Sequence, residues 1–155
     1  MVLPMSGGDQ AMRALGDQLP VPLFEETAWT VPPPLSQATV AICTSAALHR
    51  EGHEHFTPTD TSFRVIERAE RDLVLGHWSP NFDRTGFTID LDVVYPIDRL
   101  EDLAATGKIG AVAPRHIAFA GNQPDDVATV RLDTGPAAAA VLRRDGVDVV
   151  VLTPV

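Results

Sequence analysis

The chain has one cysteine, Cys43, in 155 residues. A single thiol excludes an internal disulfide framework and fits a reducing compartment. Basic side chains are also scarce, 12 against 21 acidic ones, for a formal charge of -9. Nucleic acid and anionic membrane surfaces call for clustered lysine and arginine, so neither is an expected partner. No apolar run approaches the ~20 residues of a membrane span, and the first residues lack a basic stretch followed by an apolar one. A cytoplasmic protein is expected. What is present is ordinary for a globular chain, with 45% hydrophobic and 21% charged residues. The length suits one domain that buries roughly 70% of its unfolded surface without staples.

The most informative stretch is residues 90–121. Leu91 and Val93 to Tyr95 form a short run of apolar, β-branched and aromatic residues that predicts a strand, and Pro96 ends it. Ile97, Leu100 and Leu103 then recur at helical spacing, with Asp98, Arg99, Glu101 and Asp102 on the other faces. Gly107 is placed to close that helix as a left-handed cap. Arg115 and His116 follow as a basic pair in a small, apolar segment. Strand, turn, helix and buried segment make half of an α/β unit, and sites in such folds lie outside the carboxyl ends of the strands. The expected fold is α/β, a mostly parallel sheet with flanking helices in a Rossmann-like three-layer arrangement.

Residues 1–18 read as a flexible leader and 36–155 as a single α/β domain. Between them, residues 19–35 carry Pro20, Pro22 and Pro32 to Pro34 around Phe24 and Trp29. Repeated proline favours an extended arm, laid on its own domain or on a partner subunit. The run A-T-V-A-I-C-T at 38–44 predicts a buried strand, followed by Thr44, Ser45 and Ala46, small enough for a ligand to come close. Cys43 is expected to be an inert buried thiol, because nothing nearby supplies positive charge. His49, His53 and His55 have spacings that metal ligands use, against the competing reading of a solvated loop. Gly52 interrupts the helix that would align the first pair, and no cysteine completes a zinc set. In H-W-S-P-N-F-D-R, His77 and Asp83 are spaced so that they can meet across a turn, where the carboxylate would orient the imidazole as acid, base or ligand. The alternative is a loop tied by Asn and Asp turn bonds.

Residues 127–132 predict a polar strand, Gly135 and Pro136 open a helix running to Arg144, and Asp145-Gly146 turns the chain. V-D-V-V-V-L at 147–152 is the most strand-like segment. Only Thr153, Pro154 and Val155 follow it. That strand is expected at a sheet edge, beneath a partner, or short of the end of its domain.

Taken together these segments resemble the glycine/sarcosine/betaine and D-proline reductase selenoprotein B family over residues 19–155. The resemblance rests on L-P-V-P-L-F-E-E-T, P-L-S-Q-A-T-V-A, T-S-A-A-L-H, D-T-S-F-R and the loop 77–83. It continues in D-L-D-V-V-Y-P-I-D-R-L, G-K-I-G-A-V-A-P-R-H and G-V-D-V-V-V-L-T-P-V. It implies an α/β redox subunit that works with a pyruvoyl partner. The partner holds an amino substrate as an imine, a selenolate or thiolate attacks, and the C–N bond is cleaved. In the family the selenocysteine or cysteine follows directly on the segment matching residues 152–155, one residue past Val155. Matching motifs carry over His49, His77, Asp83, Asp92, Asp98, Arg99, Arg115 and His116.

The resemblance implies catalytic roles for His77, Asp83, Arg115 and His116, and substrate contacts from Thr44, Ser45, His49, Asp98, Arg99 and Thr153. The structural alternative has Asp98 capping the helix and Arg99 pairing with Asp102 or Glu101. Two functions compete. One is a reductase-type subunit acting on a small amino or similar substrate, its selenocysteine lying beyond Val155. The other is a redox-inactive accessory or binding subunit, or a metal-assisted enzyme holding a divalent ion on His49, His53 and His55. Both readings expect a homo-oligomer or a partner subunit.

Overall fold

The apolar run at 38–44 becomes the central strand of the structure, β1 (Thr39–Thr44). In this computed structural model residues 10, 11, 14, 18, 29–77, 84–121, 123 and 127–155 are described. The chain divides into two units, Met1–Val31 and Pro32–Val155. In the first, Gln10, Ala11 and Ala14 are helical and the Gln18 amide donates to the Ala14 carbonyl. Most of the expected arm lies outside the described residues.

In the second unit the other strands are β2 (Leu48–Arg50), β3 (Phe63–Glu67), β4 (Leu73–Leu75), β5 (Ala111–Val112), β6 (Arg115–Phe119) and β7 (Val149–Thr153). On one edge β1 pairs in parallel with β7, from Val40↔Val149 to Thr44↔Thr153. On the other it pairs in parallel with β5 near its start and β6 near its end. The fifth strand of the sheet, β3, lies antiparallel on β6, so the sheet is mixed. A separate two-stranded sheet pairs β2 with β4. Among the described residues of this unit the α-helices are α1 (Arg84–Ile89), α2 (Ile97–Ala105) and α3 (Gly135–Arg144).

Side chains alternate across β1. Val40 and Ile42 pack with Ile97 and Leu100 of α2, while Ala41 packs with Ala138 and Leu142 of α3. Burying side chains such as Ile97 and Leu100 stabilises the fold by about 2 kcal/mol each. As expected, Gly107 (φ +70°) follows α2 and Gly146 (φ +70°) follows α3, both in the left-handed region. Asp148 fixes the start of β7, its carboxylate accepting from Thr39 N–H (2.9 Å) while its own N–H donates to Thr39 O.

Two expected strands are not strands. Residues 91–93 form a 3₁₀ turn, in which the Asp90 carboxylate accepts from Asp92 N–H and Val94 N–H reaches Leu91 O. Both edges of β1 are already filled, so Val94 and Tyr95 are buried as plugs of the core rather than as ladder members. Residues 127–132 are not extended either: Ala128 and Thr129 are helical and lead through a π turn, Val130–Thr134, into α3. Pro136 has no N–H to give, and Gly135 N–H reaches back five residues to Val130 O. A side chain at 135 would collide with that same carbonyl, so glycine is required there.

Between β5 and β6 the ladder slips. Val40 faces Val112 and Cys43 faces Ile117, so three steps along β1 match five on its neighbour. The two extra residues bulge around Pro114, and Ile42 N–H, left without a strand carbonyl, donates to Nδ1 of His116 at 3.0 Å. A side chain thus completes the sheet.

Candidate functional site

The carboxyl ends of the two longest parallel neighbours converge. Thr44 Oγ1 accepts from Ala46 N–H (3.2 Å) and donates to Thr153 O (3.4 Å). Ser45 Oγ accepts from Val155 N–H (2.9 Å) and bonds Val155 O (3.3 Å). Thr153 Oγ1 donates to Val94 O (2.9 Å), tying β7 to the 3₁₀ turn. His77, two residues beyond β4, reaches over and places Nε2 3.1 Å from Val155 O. That oxygen only accepts, so Nε2 carries the proton. Gly121 lies under this imidazole, and a Cβ there would stand 2.5 Å from Nε2. Thr44, Ser45, His77 and Thr153 are therefore brought to one place, around the backbone of Val155.

Next to it lies a cavity of about 320 Å³ lined by His49, His55, Phe56, Val74, Leu75, Gly76 and His77. His49 is buried on β2; its Nδ1 is 3.0 Å from Ala47 O and its Nε2 2.8 Å from Nδ1 of His55. Ala47 holds φ +54°, strained for a residue with a side chain, and its carbonyl also accepts from Gly76 N–H. His53 instead sits in the exposed turn, its N–H donating to Arg50 O. Among the described residues, no three of the His, Cys, Asp or Glu side chains converge as a metal shell. A larger depression of about 660 Å³ is lined by Arg50, Glu70, Arg71 and their neighbours. Its cations are engaged, Arg50 with Glu70 and Arg71 with Asp98 and Glu101.

Arg115, His116, Asp98 and Arg99 lie away from this convergence. Asp83 is outside the described residues. Arg115 opens β6, at the end of that parallel strand opposite the convergence, and forks onto Asp145 at 2.6 and 2.8 Å. That bond to Arg115 holds the Asp145 carboxyl below its usual range. His116 is fully buried in the middle of the sheet, edge-on to Tyr95. Burial, with Arg68 and Arg71 adding to it, pushes its pKa down to about 4. Asp98 and Arg99 sit on the exposed first turn of α2. Asp98 takes Arg71, and the helix start is capped by Asp92, whose carboxylate accepts from Asp98 N–H (3.2 Å) and from Arg99 Nε (2.6 Å). Arg99 also reaches Asp102, as expected, at 3.3 Å.

Burial raises the Cys43 thiol to about 11. At pH 8 only about one molecule in a thousand then holds a thiolate, so a disulfide reagent is expected to label native protein at least 100-fold more slowly than urea-unfolded protein. Equal rates would show that the thiol is open.

Comparison with known proteins decides the relationship. The chain is 34% identical over 146 residues, 92% of its length, to the D-proline reductase subunit gamma of Acetoanaerobium sticklandii. It is 29% identical over 147 residues, 88% of its length, to the glycine reductase complex component B subunit gamma of Carboxydothermus hydrogenoformans. Over most of its length the chain is thus similar to subunits of the D-proline and glycine reductases. It spans 59% of the length of the first relative and 32% of the second. No family model matches it, and no solved structure does.

The geometry of the site also turns on residues with no signal in the sequence pattern. Gly121 and Gly76 carry no chemistry, yet each makes room for a histidine ring. The Val94 carbonyl and the strained Ala47 are backbone features with no signature in residue type. The pairing of His49 with His55 was open to discovery from their common loop, but only the β2–β4 sheet sets its geometry.

Proposed function

We propose that this chain is a reductase-type subunit that supports thiol- or selenol-dependent reductive cleavage of a small amino or similar substrate. The observation that carries this reading is the convergence of His77 Nε2 and Ser45 Oγ on Val155. The family's selenocysteine or cysteine is carried by the position directly after the segment matching residues 152–155. A nucleophile there would stand beside an imidazole N–H and a serine hydroxyl, at the carboxyl edge where α/β sites form. A selenol is largely ionised at neutral pH and so attacks better than a thiol near ~8.5. In this reading Thr44, Ser45 and Thr153 shape the substrate platform, His77 fixes the redox segment, and Asp83 orients His77. Arg115 and His116 support the strand beneath it. Asp98 and Arg99 bind substrate from the exposed start of α2, where they are held by Arg71, Asp92 and Asp102. A cytoplasmic setting, an oligomer or partner subunits, and a Rossmann-like three-layer arrangement of the whole subunit belong to the same reading.

The test is to supply cysteine or selenocysteine after Val155, with partner subunits and a dithiol present. Gain of thiol-dependent reductive cleavage is expected, and no gain in the assembled complex would sink the reading. In the active complex, His77→Ala should lower kcat on the order of 100-fold by loosening the segment it holds. His77→Gln keeps an N–H donor and should recover most of that loss.

A further inference from the structure

The His49–His55 pair has a defined proton order. Ala47 O accepts only, so His49 Nδ1 must be the protonated nitrogen. Neutral His49 then offers a lone pair at Nε2, and the 2.8 Å contact requires His55 Nδ1 to donate into it. The remaining nitrogen, His55 Nε2, is left with a lone pair, and no described residue bonds it. The arrangement is built rather than incidental. Ala47 is held at φ +54°, and a Cβ at Gly76 would strike Ala47 O at 2.8 Å and the His49 ring at 3.1 Å. Fully buried Phe56 packs edge-on to His49, with the Arg64 guanidinium stacked on its ring at 4.4 Å. His55 itself is exposed, so solvent reaches it, and both imidazoles line the 320 Å³ cavity that His77 shares.

We propose that His49 and His55 form a tautomer-locked dyad that moves protons at this cavity, His55 Nε2 being the exchanging atom and His49 the positioning group. The proposal rests on the reductase reading for its substrate: the nitrogen released when the C–N bond breaks. His55 Nε2 first takes a proton from solvent. As the selenolate or thiolate bonds to carbon, the C–N electron pair passes to the departing nitrogen, which takes that proton from the charged His55. Neutral His55 is recharged from solvent. During the charged stage the His55 Nδ1–H···Nε2 His49 bond is charge-assisted and strengthens, which keeps the ring aimed at the cavity. The apolar wall of Phe56, Val74 and Leu75 suits a substrate with a short aliphatic body.

Two measurements test this. In two-bond ¹H–¹⁵N spectra of the labelled chain at pH 8, where an ordinary imidazole (~6.5) is neutral, both His49 and His55 should be Nδ1–H tautomers. His49→Phe should release His55 to the Nε2–H form that free imidazole prefers. An Nε2–H His55 in the native chain overturns the dyad, whether or not the Phe variant folds. In the assembled, redox-competent complex, His55→Gln should lower kcat on the order of 100-fold or more at nearly constant KM. The loss should shrink with a substrate analogue whose leaving group needs no proton. An unchanged kcat in an active complex overturns the proton role. A complex inactive with the native chain sinks the reductase reading, and the tautomer spectra then decide the dyad alone.

Discussion

His116→Ala is expected to cost about 4 kcal/mol of folding stability, a large share of the ~5–15 kcal/mol that holds a domain together. The ring is fully buried, and removing it leaves a cavity beneath Tyr95 and beside Ile42. It also orphans Ile42 N–H, which at the ladder slip has no other acceptor among the described residues, at a further ~1–3 kcal/mol. His116→Phe separates the two effects, because it restores volume but not the acceptor. About half the loss should remain. Urea midpoints at constant m-value measure both. A His116→Ala variant as stable as the native chain would mean that the side chain is not the missing rung.

The same residue should set an acid limit. An ordinary imidazole titrates near ~6.5, while burial holds folded His116 to about 4. The unfolded chain therefore takes up the proton first as pH falls. The stability due to neutral His116 is complete above ~6.5 and is lost progressively toward 4, on the order of 3 kcal/mol in all. Asp145 and Asp60, whose carboxyls lie below the usual 3.8, lose their contributions only at still lower pH. Urea midpoints between pH 7 and 4 should fall for the native chain and flatten for His116→Phe. An identical pH slope in the two proteins would assign the acid sensitivity to other groups.

Gly121→Ala is the second large effect, and it acts on the site. The new methyl would lie 2.5 Å from His77 Nε2, 2.9 Å from its Cδ2 and 2.9 Å from Ser45 O. The last of these is backbone at the end of β1 and cannot swing away, so the imidazole must leave Val155. Overpacking of this kind costs roughly 1–3 kcal/mol. The imidazole ¹⁵N resonances of His77 should move to those of a free ring, and activity of the redox-competent complex should fall on the order of 100-fold. Gly107→Ala is the comparison: nothing lies within 4 Å of the added carbon, and only its φ of +70° is strained. It should lower stability by ~1–2 kcal/mol with activity per folded molecule unchanged. His77 resonances that stay put in Gly121→Ala would overturn the argument.

Much of the fold was legible from residues 38–44, 97–107 and 135–153, because each carries its own period and its own stop. An unbroken apolar run can be satisfied only inside a sheet, and Ile97 and Leu100 at helical spacing can be buried together only as a helix. Pro136 and Gly146 punctuate α3 by backbone geometry alone. Residues 91–95 misled for a physical reason. Their β-branched and aromatic side chains suit a strand, but the Asp90 cap and the occupied edges of β1 make them a turn that plugs the core. Residues 127–132 misled likewise, since a proline four residues later changed the helix period upstream of itself.

By itself, the sequence determined the α/β character, the central strand, the two main helices, the acidic charge and the family motifs. All of these reside in local periodicity or in residue type. Only the tertiary structure decided which of the chemistry-bearing residues meet. His77 reaches Val155 from two residues beyond β4, and Ser45 meets Val155 across 110 residues because β1 and β7 pair in register. His116 fills the slip between β5 and β6 with its Nδ1 on Ile42 N–H, and Arg115 forks onto Asp145. Register and edge occupancy are properties of strands in pairs. A strand read alone carries the pattern that it will bury, but not the neighbour that decides where its ends come to lie.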